Sequence, residues 1–207
     1  MCGIAGYSLK VDARIDRTLA AQALLAGIAE RGADAVGYAH RSHGEVVSVN
    51  KQRSGASAFL PELTVPASSV EVLLHVRDYT KGHPTIEANN HPVRHGHIVG
   101  VHNGIILNDE EIFERHTIQR YVSSMTVDTE AIFALVERFG PWGKTLEQLR
   151  GSMATAWVDE RERGAVYLAR GVGRPLWTGE SREGIFFAST KHALEVSEQF
   201  LGMRLRK

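Results

Sequence analysis

The stretch from Asp128 to Gly140 limits the fold more than any other part of this chain. Ile132, Leu135, Val136 and Phe139 recur at i, i+3, i+4 and i+7, the spacing of one helical face. Gly140-Pro141 then stops the run. On either side lie short apolar runs bounded by turn residues, the pattern of strands. Before the helix these runs are residues 3–9, 36–40, 46–49, 70–76 and 98–102; after it they are 153–159, 165–169, 176–179 and 185–188. Helices set between two groups of strands point to a mixed α+β layered domain.

The remaining segments fit that frame. Asp16 is placed to cap a helix with Leu19, Ala23, Leu24, Gly27 and Ile28 on one face, and Gly32 suits its C-cap. Gly44 is expected in the turn between the second and third strands. Residues 53–69, rich in Ser, Ala and Pro, read as a surface crossing. Arg77 to His97 is irregular, with Gly82, Pro84, Asn89, Asn90 and Pro92, and loops of that length inside compact domains are often functional. Asn103-Gly104 reads as a turn that closes the strand before it. Asn108 would cap a helix over 109–116, and further helices fit 144–150 and 191–200.

Composition narrows the partners. Lys plus Arg equals Asp plus Glu at 24 each, and there is no basic stripe. Neither nucleic acid nor an anionic membrane is expected to bind. The 207 residues suit a single domain with a real core. One cysteine cannot form an internal disulfide, which agrees with a reducing compartment. No apolar run approaches a membrane span, and the N-terminus lacks the layout of a signal peptide. A cytoplasmic protein is expected.

That one cysteine is Cys2. With a small residue in second position the initiator Met1 is expected to be trimmed, which would place a thiol and a free α-amine on one residue. Their ordinary pKa values, about 8.5 and about 7.7–8, are closely matched, as befits a terminal amine that activates its own side chain. Gly3-Ile4-Ala5-Gly6 follows, small and apolar, suited to a buried strand whose backbone a substrate can approach.

Five polar clusters sit at strand or helix ends: Arg31-Gly32-Ala33-Asp34-Ala35, His75-Val76-Arg77-Asp78-Tyr79-Thr80-Lys81-Gly82, Asn90-His91-Pro92, His102-Asn103-Gly104-Ile105-Ile106 and Asp128-Thr129-Glu130. Each alone has an ordinary structural explanation, as a turn, a cap or a solvated charge. In this order behind Cys2-Gly3-Ile4 they resemble the glutaminase domain of the class II glutamine amidotransferases, which are N-terminal nucleophile hydrolases. The resemblance spans about residues 2 to 189. It implies a four-layer αββα sandwich with two mostly antiparallel sheets between helices. It also implies one glutaminase-type domain over 1–207, without a synthase domain.

The resemblance implies roles as well. Cys2 would attack the amide carbon of L-glutamine, with its own α-amine moving the proton. Asn103 and Gly104 match the donors of the oxyanion hole. Arg77 matches the arginine that forks onto the α-carboxylate, Asp128 the acid that takes the α-ammonium, and Thr80 a further substrate contact. Arg31 and His91 would stand behind these groups. No cofactor and no metal are implied. His95-x-His97 invites a metal reading, but no cysteine or carboxylate accompanies the pair at ligand spacing. Two departures stand out. Asp78-Tyr79 replaces the usual aromatic and small pair before Thr80, and Ala35 replaces a hydroxyl residue.

Ammonia made here is expected to pass to a separate synthase protein, because no complete Gly-x-x-x-x-Gly-Lys-Ser/Thr phosphate loop is present: Gly143-Lys144-Thr145 has Arg138 where the first glycine would stand. Two other readings remain open at this stage. One is an N-terminal cysteine amidase or acylase acting on another amide. The other is a non-catalytic module that senses glutamine or serves in assembly.

Overall fold

The computed structural model describes residues 1–42, 45–162 and 164–207. In chain order these form β1 (Gly3–Leu9), α1 (Arg17–Ile28), β2 (Ala35–Ser42), β3 (Ser48–Gln52) and the one-turn helix α2 (Ala56–Phe59). Then come β4 (Ser69–Arg77), β5 (Val93–His95), β6 (Ile98–Ile106), α3 (Asp109–His116) and α4 (Glu130–Phe139). The short α5 (Gly143–Leu146), β7 (Gly151–Asp159), β8 (Tyr167–Arg170), β9 (Trp177–Ser181), β10 (Gly184–Ala188) and α6 (Lys191–Leu201) complete it.

The strands make two sheets, ordered β3-β2-β4-β1-β10-β9 and β5-β6-β7-β8. All their pairings are antiparallel. The period of two in each strand sorts its side chains between two cores. Ala5, Tyr7 and Leu9 of β1, with Val72, Leu74 and Val76 of β4, face Leu24 and Ile28 of α1 and Leu194 of α6. Ile4 and Leu73 point the other way and meet Val99, Val101, Ala154 and Ala156 of the second sheet. Beyond that sheet, Ile98, Ile106 and Trp157 pack on Ile132, Phe133 and Val136 of α4. The result is helix, sheet, sheet, helix, as expected. Each fully buried Leu, Ile or Phe contributes about 1.5–3 kcal/mol, so both faces of both sheets are stabilised by packing.

Local signals held where they met no competitor. Asp16 accepts from the Leu19 N–H at 2.9 Å and caps α1, and Gly140 ends α4 with φ +84°. Gly27 lets α1 approach α6, for a Cβ there would lie 2.4 Å from the Ala193 Cα.

Several expectations are corrected. Gly32 is not a left-handed cap: α1 ends at Ile28, a 3₁₀ turn follows, and Gly32 is extended at φ −178°. A Cβ on Gly32 would lie 2.3 Å from the Arg77 carbonyl carbon, so glycine serves close approach there. The crossing at 53–69 is not superficial, because Phe59, Leu63 and Val65 are buried in the α1 core. The irregular 77–97 segment contains β5 and a 3₁₀ turn at Glu87–Asn89. Asn108 makes no side-chain cap; its amide donates to the Gln148 carbonyl at 3.0 Å and accepts from the Arg150 N–H at 2.7 Å. The helix expected over 144–150 is the single turn α5. The turn at Gly44 lies outside the described residues. No helix among the described residues is long and apolar enough to cross a membrane.

Candidate active site

The site collects at one end of the sandwich, where β1 begins and β4 finishes. Gly3 pairs with Val76, which sets Cys2 beside Arg77 and Asp78. The half-buried Cys2 donates its S–H to the Asp78 carbonyl at 3.3 Å, and the Asp78 N–H reaches Sγ at 3.5 Å. Arg31 holds the backbone behind it, its Nε donating to the Cys2 carbonyl at 3.0 Å. Burial pushes the Cys2 thiol up from its ordinary value; the Asp78 backbone contact, Arg77 and the terminal ammonium oppose this, while the Asp78 carboxylate adds to it.

The Asn103-Gly104 pair does not close its strand. β6 runs on to Ile106, in register with β7 as far as Gly151. Gly104 has φ +155°, and a Cβ would lie 1.9 Å from the Ser152 carbonyl oxygen and 2.6 Å from His102 Nε2. Only glycine fits.

Register fixes where the Gly104 amide points. Gly104 is opposite Met153, whose N–H donates to Val172 O and whose carbonyl accepts from Gly171 N. Both backbone groups of Met153 are thus turned away from β6, and in an antiparallel pair the opposing residue is turned away likewise. The same free edge carries the His102 carbonyl, which accepts from His75 Nε2 at 3.1 Å, and the Ile106 N–H, which donates to Asp128 Oδ2 at 2.6 Å. The Gly104 N–H lies between those two anchors, and β5 pairs only with 98–100 of this strand. Asn103, 1% exposed, faces the other way along the strand. Its Nδ2 is buried and has no hydrogen-bond partner among the described residues.

Arg77 is 2% exposed and committed to the loop. Its Nη1 donates to Asn90 Oδ1 at 2.5 Å, and Nη2 donates to Lys81 O at 2.9 Å and to Gly82 O. Asn90 is itself tied to Pro84 O at 2.8 Å. Burial lowers the Arg77 pKa, opposed by the charges of Cys2, Asp128 and Asp34. Asp128 is buried just before α4 and, instead of capping that helix, supports β6. Thr80 lies exposed on the loop. Cys2, Arg31, Arg77, Asn103, Gly104, His91 and Asp128 are therefore gathered around one end of the two sheets, and Thr80 is on the exposed loop that follows Arg77.

Behind them is a buried histidine cluster that sequence reading only partly found. His91 stacks on His75 with ring centroids 4.0 Å apart. Thr129 Oγ1 lies 2.9 Å from both His91 Nε2 and His102 Nδ1, and His102 Nε2 is 3.3 Å from Ser152 O. A carbonyl accepts only, so His102 carries its proton on Nε2 and Nδ1 accepts from the Thr129 hydroxyl. That hydroxyl in turn accepts from His91 Nε2–H. His91 Nδ1, buried and without a partner among the described residues, closes the chain as a bare lone pair. Burial keeps all three rings neutral, with His75 lowered to about 3, His91 well below its usual value and His102 lowered. Thr129, His75, His102 and Asn90 carried a signal, since each sits in one of the five clusters, but no role was assigned to them.

His95 and His97 go to separate carboxylates, Nδ1 to Glu130 at 2.9 Å and Nδ1 to Glu137 at 3.2 Å. Among the described residues no group of three or more metal-ligating side chains converges.

Known proteins resemble this chain over nearly its whole length. The chain is 33% identical over 216 residues to glutamine–fructose-6-phosphate aminotransferase (isomerizing) of Escherichia coli, covering 97% of this chain and 34% of that protein. It is 31% identical over 209 residues to the Campylobacter jejuni enzyme of the same name, covering 93% and 33%. It thus spans about a third of the length of these relatives. Among solved structures, the Bacillus subtilis glutamine phosphoribosylpyrophosphate amidotransferase superposes with a TM-score of 0.71 at 18% identity, over 99% of this chain and 44% of that one. A glutamine aminotransferase class-II domain protein from Silicibacter pomeroyi gives 0.57 at 18%, over 90% and 88%. These two show the fold, that of the N-terminal nucleophile amidotransferases. The profile of the glutamine amidotransferase domain matches residues 75–196, a span that holds Arg77, Asn103, Gly104 and Asp128, and the chain belongs to that family.

Proposed function

We propose that this chain hydrolyses the side-chain amide of L-glutamine to glutamate and ammonia through a thioester on Cys2. The observation that carries the reading is the free edge of β6. It leaves the Gly104 N–H unused by the sheet, and the preceding residue, Asn103, carries a buried side-chain amide with no partner among the described residues. Two such donors suit the oxygen of a tetrahedral intermediate, where charge develops.

Met1 is removed in the working enzyme, so that the α-amine belongs to Cys2. The amine takes the thiol proton as Sγ bonds to the amide carbon. The carbonyl electrons move onto oxygen, held by Asn103 and Gly104, and collapse back as the carbon–nitrogen bond breaks. The amine returns its proton to the departing nitrogen, and ammonia leaves. Water then adds to the thioester and releases glutamate and the thiol. Arg77 and Asp128 supply the charges that a free α-amino acid head requires, and Thr80 joins them when the loop closes. Arg31 and His91 hold the backbone and the loop behind. Nucleophile, base and oxyanion donors are all protein groups, so the reaction calls for no cofactor.

Residues 1–207 act as one glutaminase unit in this reading, and the ammonia is consumed by a synthase outside them. Support comes from the relatives, whose names describe transfer of glutamine nitrogen to another substrate and whose length extends well beyond the shared segment.

Intact mass with and without 6-diazo-5-oxo-L-norleucine, a glutamine-shaped electrophile, tests the proposal on the wild type and Cys2→Ala. Loss of Met1 and a single adduct absent from Cys2→Ala are expected, together with ammonia release from glutamine and none from N-acyl amides. Retained Met1, or processed protein that takes no label and releases no ammonia, would overturn it.

A further inference from the structure

Asp78 stands where the family pattern carries an aromatic residue, and its surroundings suggest a use for the change. Its carboxylate forms an ion pair with the α-ammonium of Met1. Its backbone brackets the Cys2 sulfur on both sides, accepting from S–H and donating to Sγ. The loop that presents it is fixed from behind, because the Tyr79 N–H donates to Asp34 Oδ2 at 2.8 Å and the Asp34 N–H to Arg77 O at 3.0 Å. The carboxylate is therefore held at the start of the chain by backbone contacts that do not depend on its own charge.

Removal of Met1 shifts the terminal amine by one residue, onto Cys2, whose side chain already touches Asp78. We propose that Asp78 is a positioning residue that holds the α-ammonium of the processed Cys2 and thereby sets the pH above which the nucleophile is activated. This rests on the proposed role of Cys2.

The charges around the amine determine the direction. From the turn after α1, Arg31 faces it through the Cys2 carbonyl. From the end of β4, Arg77 acts on the thiol. From the loop after β8, Arg174 reaches Met1, with Nη1 3.6 Å from Sδ. Asp34 and, through Arg77, Asp128 are the other anions near these groups. Three guanidinium groups favour the neutral amine and the thiolate. Asp78 is the anion in direct contact with the terminal ammonium, and it favours the protonated amine and the neutral thiol. Taking its charge away lets both groups lose their protons at lower pH. The pair is exposed to solvent, which limits the effect.

The test compares wild type, Asp78→Asn and Asp78→Glu, each confirmed by intact mass to begin at Cys2. Two pH profiles are recorded: kcat/KM for glutamine hydrolysis, and the rate of alkylation by iodoacetamide, which reports on Cys2 alone because the chain has one cysteine. Asp78→Asn is expected to move the acid limb of both profiles down by about half a pH unit, with Asp78→Glu close to wild type. The shift should shrink in about 1 M salt, where the Debye length is about 3 Å. Coincident alkylation profiles in all three proteins would overturn the inference, as would a chain that keeps Met1. If alkylation shifts but no variant hydrolyses glutamine, Asp78 controls the nucleophile as proposed and the assigned substrate is what fails.

Discussion

The Ile106 N–H donates to Asp128 Oδ2 at 2.6 Å, so a carboxylate proposed to recognise substrate also holds the strand that carries the proposed oxyanion donors. Two substitutions separate these duties. Asp128→Asn keeps an oxygen that can accept from Ile106 and loses only the charge. It should leave the melting temperature nearly unchanged while raising KM for glutamine on the order of ten-fold or more, about the worth of one charged hydrogen bond. Asp128→Ala leaves a buried N–H without a partner and should cost about 1–3 kcal/mol in urea unfolding as well. Equal stability losses in the two variants would show that the charge itself holds the strand.

Asn103 and Gly104 should fail in different ways. The Asn103 Nδ2 has no partner among the described residues, so Asn103→Ala forfeits little of the hydrogen bonding in the free protein. Its kcat should drop on the order of a hundred-fold or more with a modest change in stability. In Gly104→Ala the added methyl would collide with the Ser152 carbonyl at a φ of +155°. It should destabilise the fold by more than about 2 kcal/mol in denaturant titration.

The histidine cluster makes stability depend on pH. His75, His91 and His102 are neutral in the fold, and their pKa values lie below the usual 6.5. The unfolded chain therefore binds more protons once pH falls under about 6.5, and stability is full above that value and lost as pH drops below it. For His75 the loss continues down to about 3. Each such ring contributes a slope of up to about 1.4 kcal/mol per pH unit. Urea midpoints at pH 7.5, 6.5 and 5.5 check this; a flat profile would mean that the rings titrate in the fold as they do in the unfolded chain. Thr129→Val deprives His91 and His102 of their shared hydroxyl and should lower stability at every pH.

Sequence reading succeeded where one short segment decides the outcome. The cap at Asp16, the stop at Gly140 and the buried face of α4 at Ile132, Leu135 and Val136 follow from residues within a few positions of one another, though Phe139 at the end of that face is exposed. It failed where distant partners decide. Asn103-Gly104 looks like a turn, yet register with β7 continues the strand through it. Gly32 looks like a cap, yet its smallness is needed against Arg77, far along the chain. Phe59, Leu63 and Val65 sit in a segment rich in small and polar residues, and only their packing on α1 reveals them as core. The site residues were legible as clusters through family resemblance. Thr129 was not assigned a role, because a threonine at a helix start already has an ordinary explanation as a cap. Its place between two histidines comes from the meeting of β6, α4 and the 83–91 loop.

Arg77 gives its Nη groups to Asn90 and to the carbonyls of Lys81 and Gly82. An incoming carboxylate that claims either nitrogen competes with the chain itself for the same donors. In the role proposed for Arg77, substrate capture and loop order are two sides of one exchange, and whatever strengthens the loop's hold on the guanidinium weakens glutamine by the same factor, in both directions. Affinity in such a site is written partly at positions 81, 82 and 90, none of which need touch the amide that is cut.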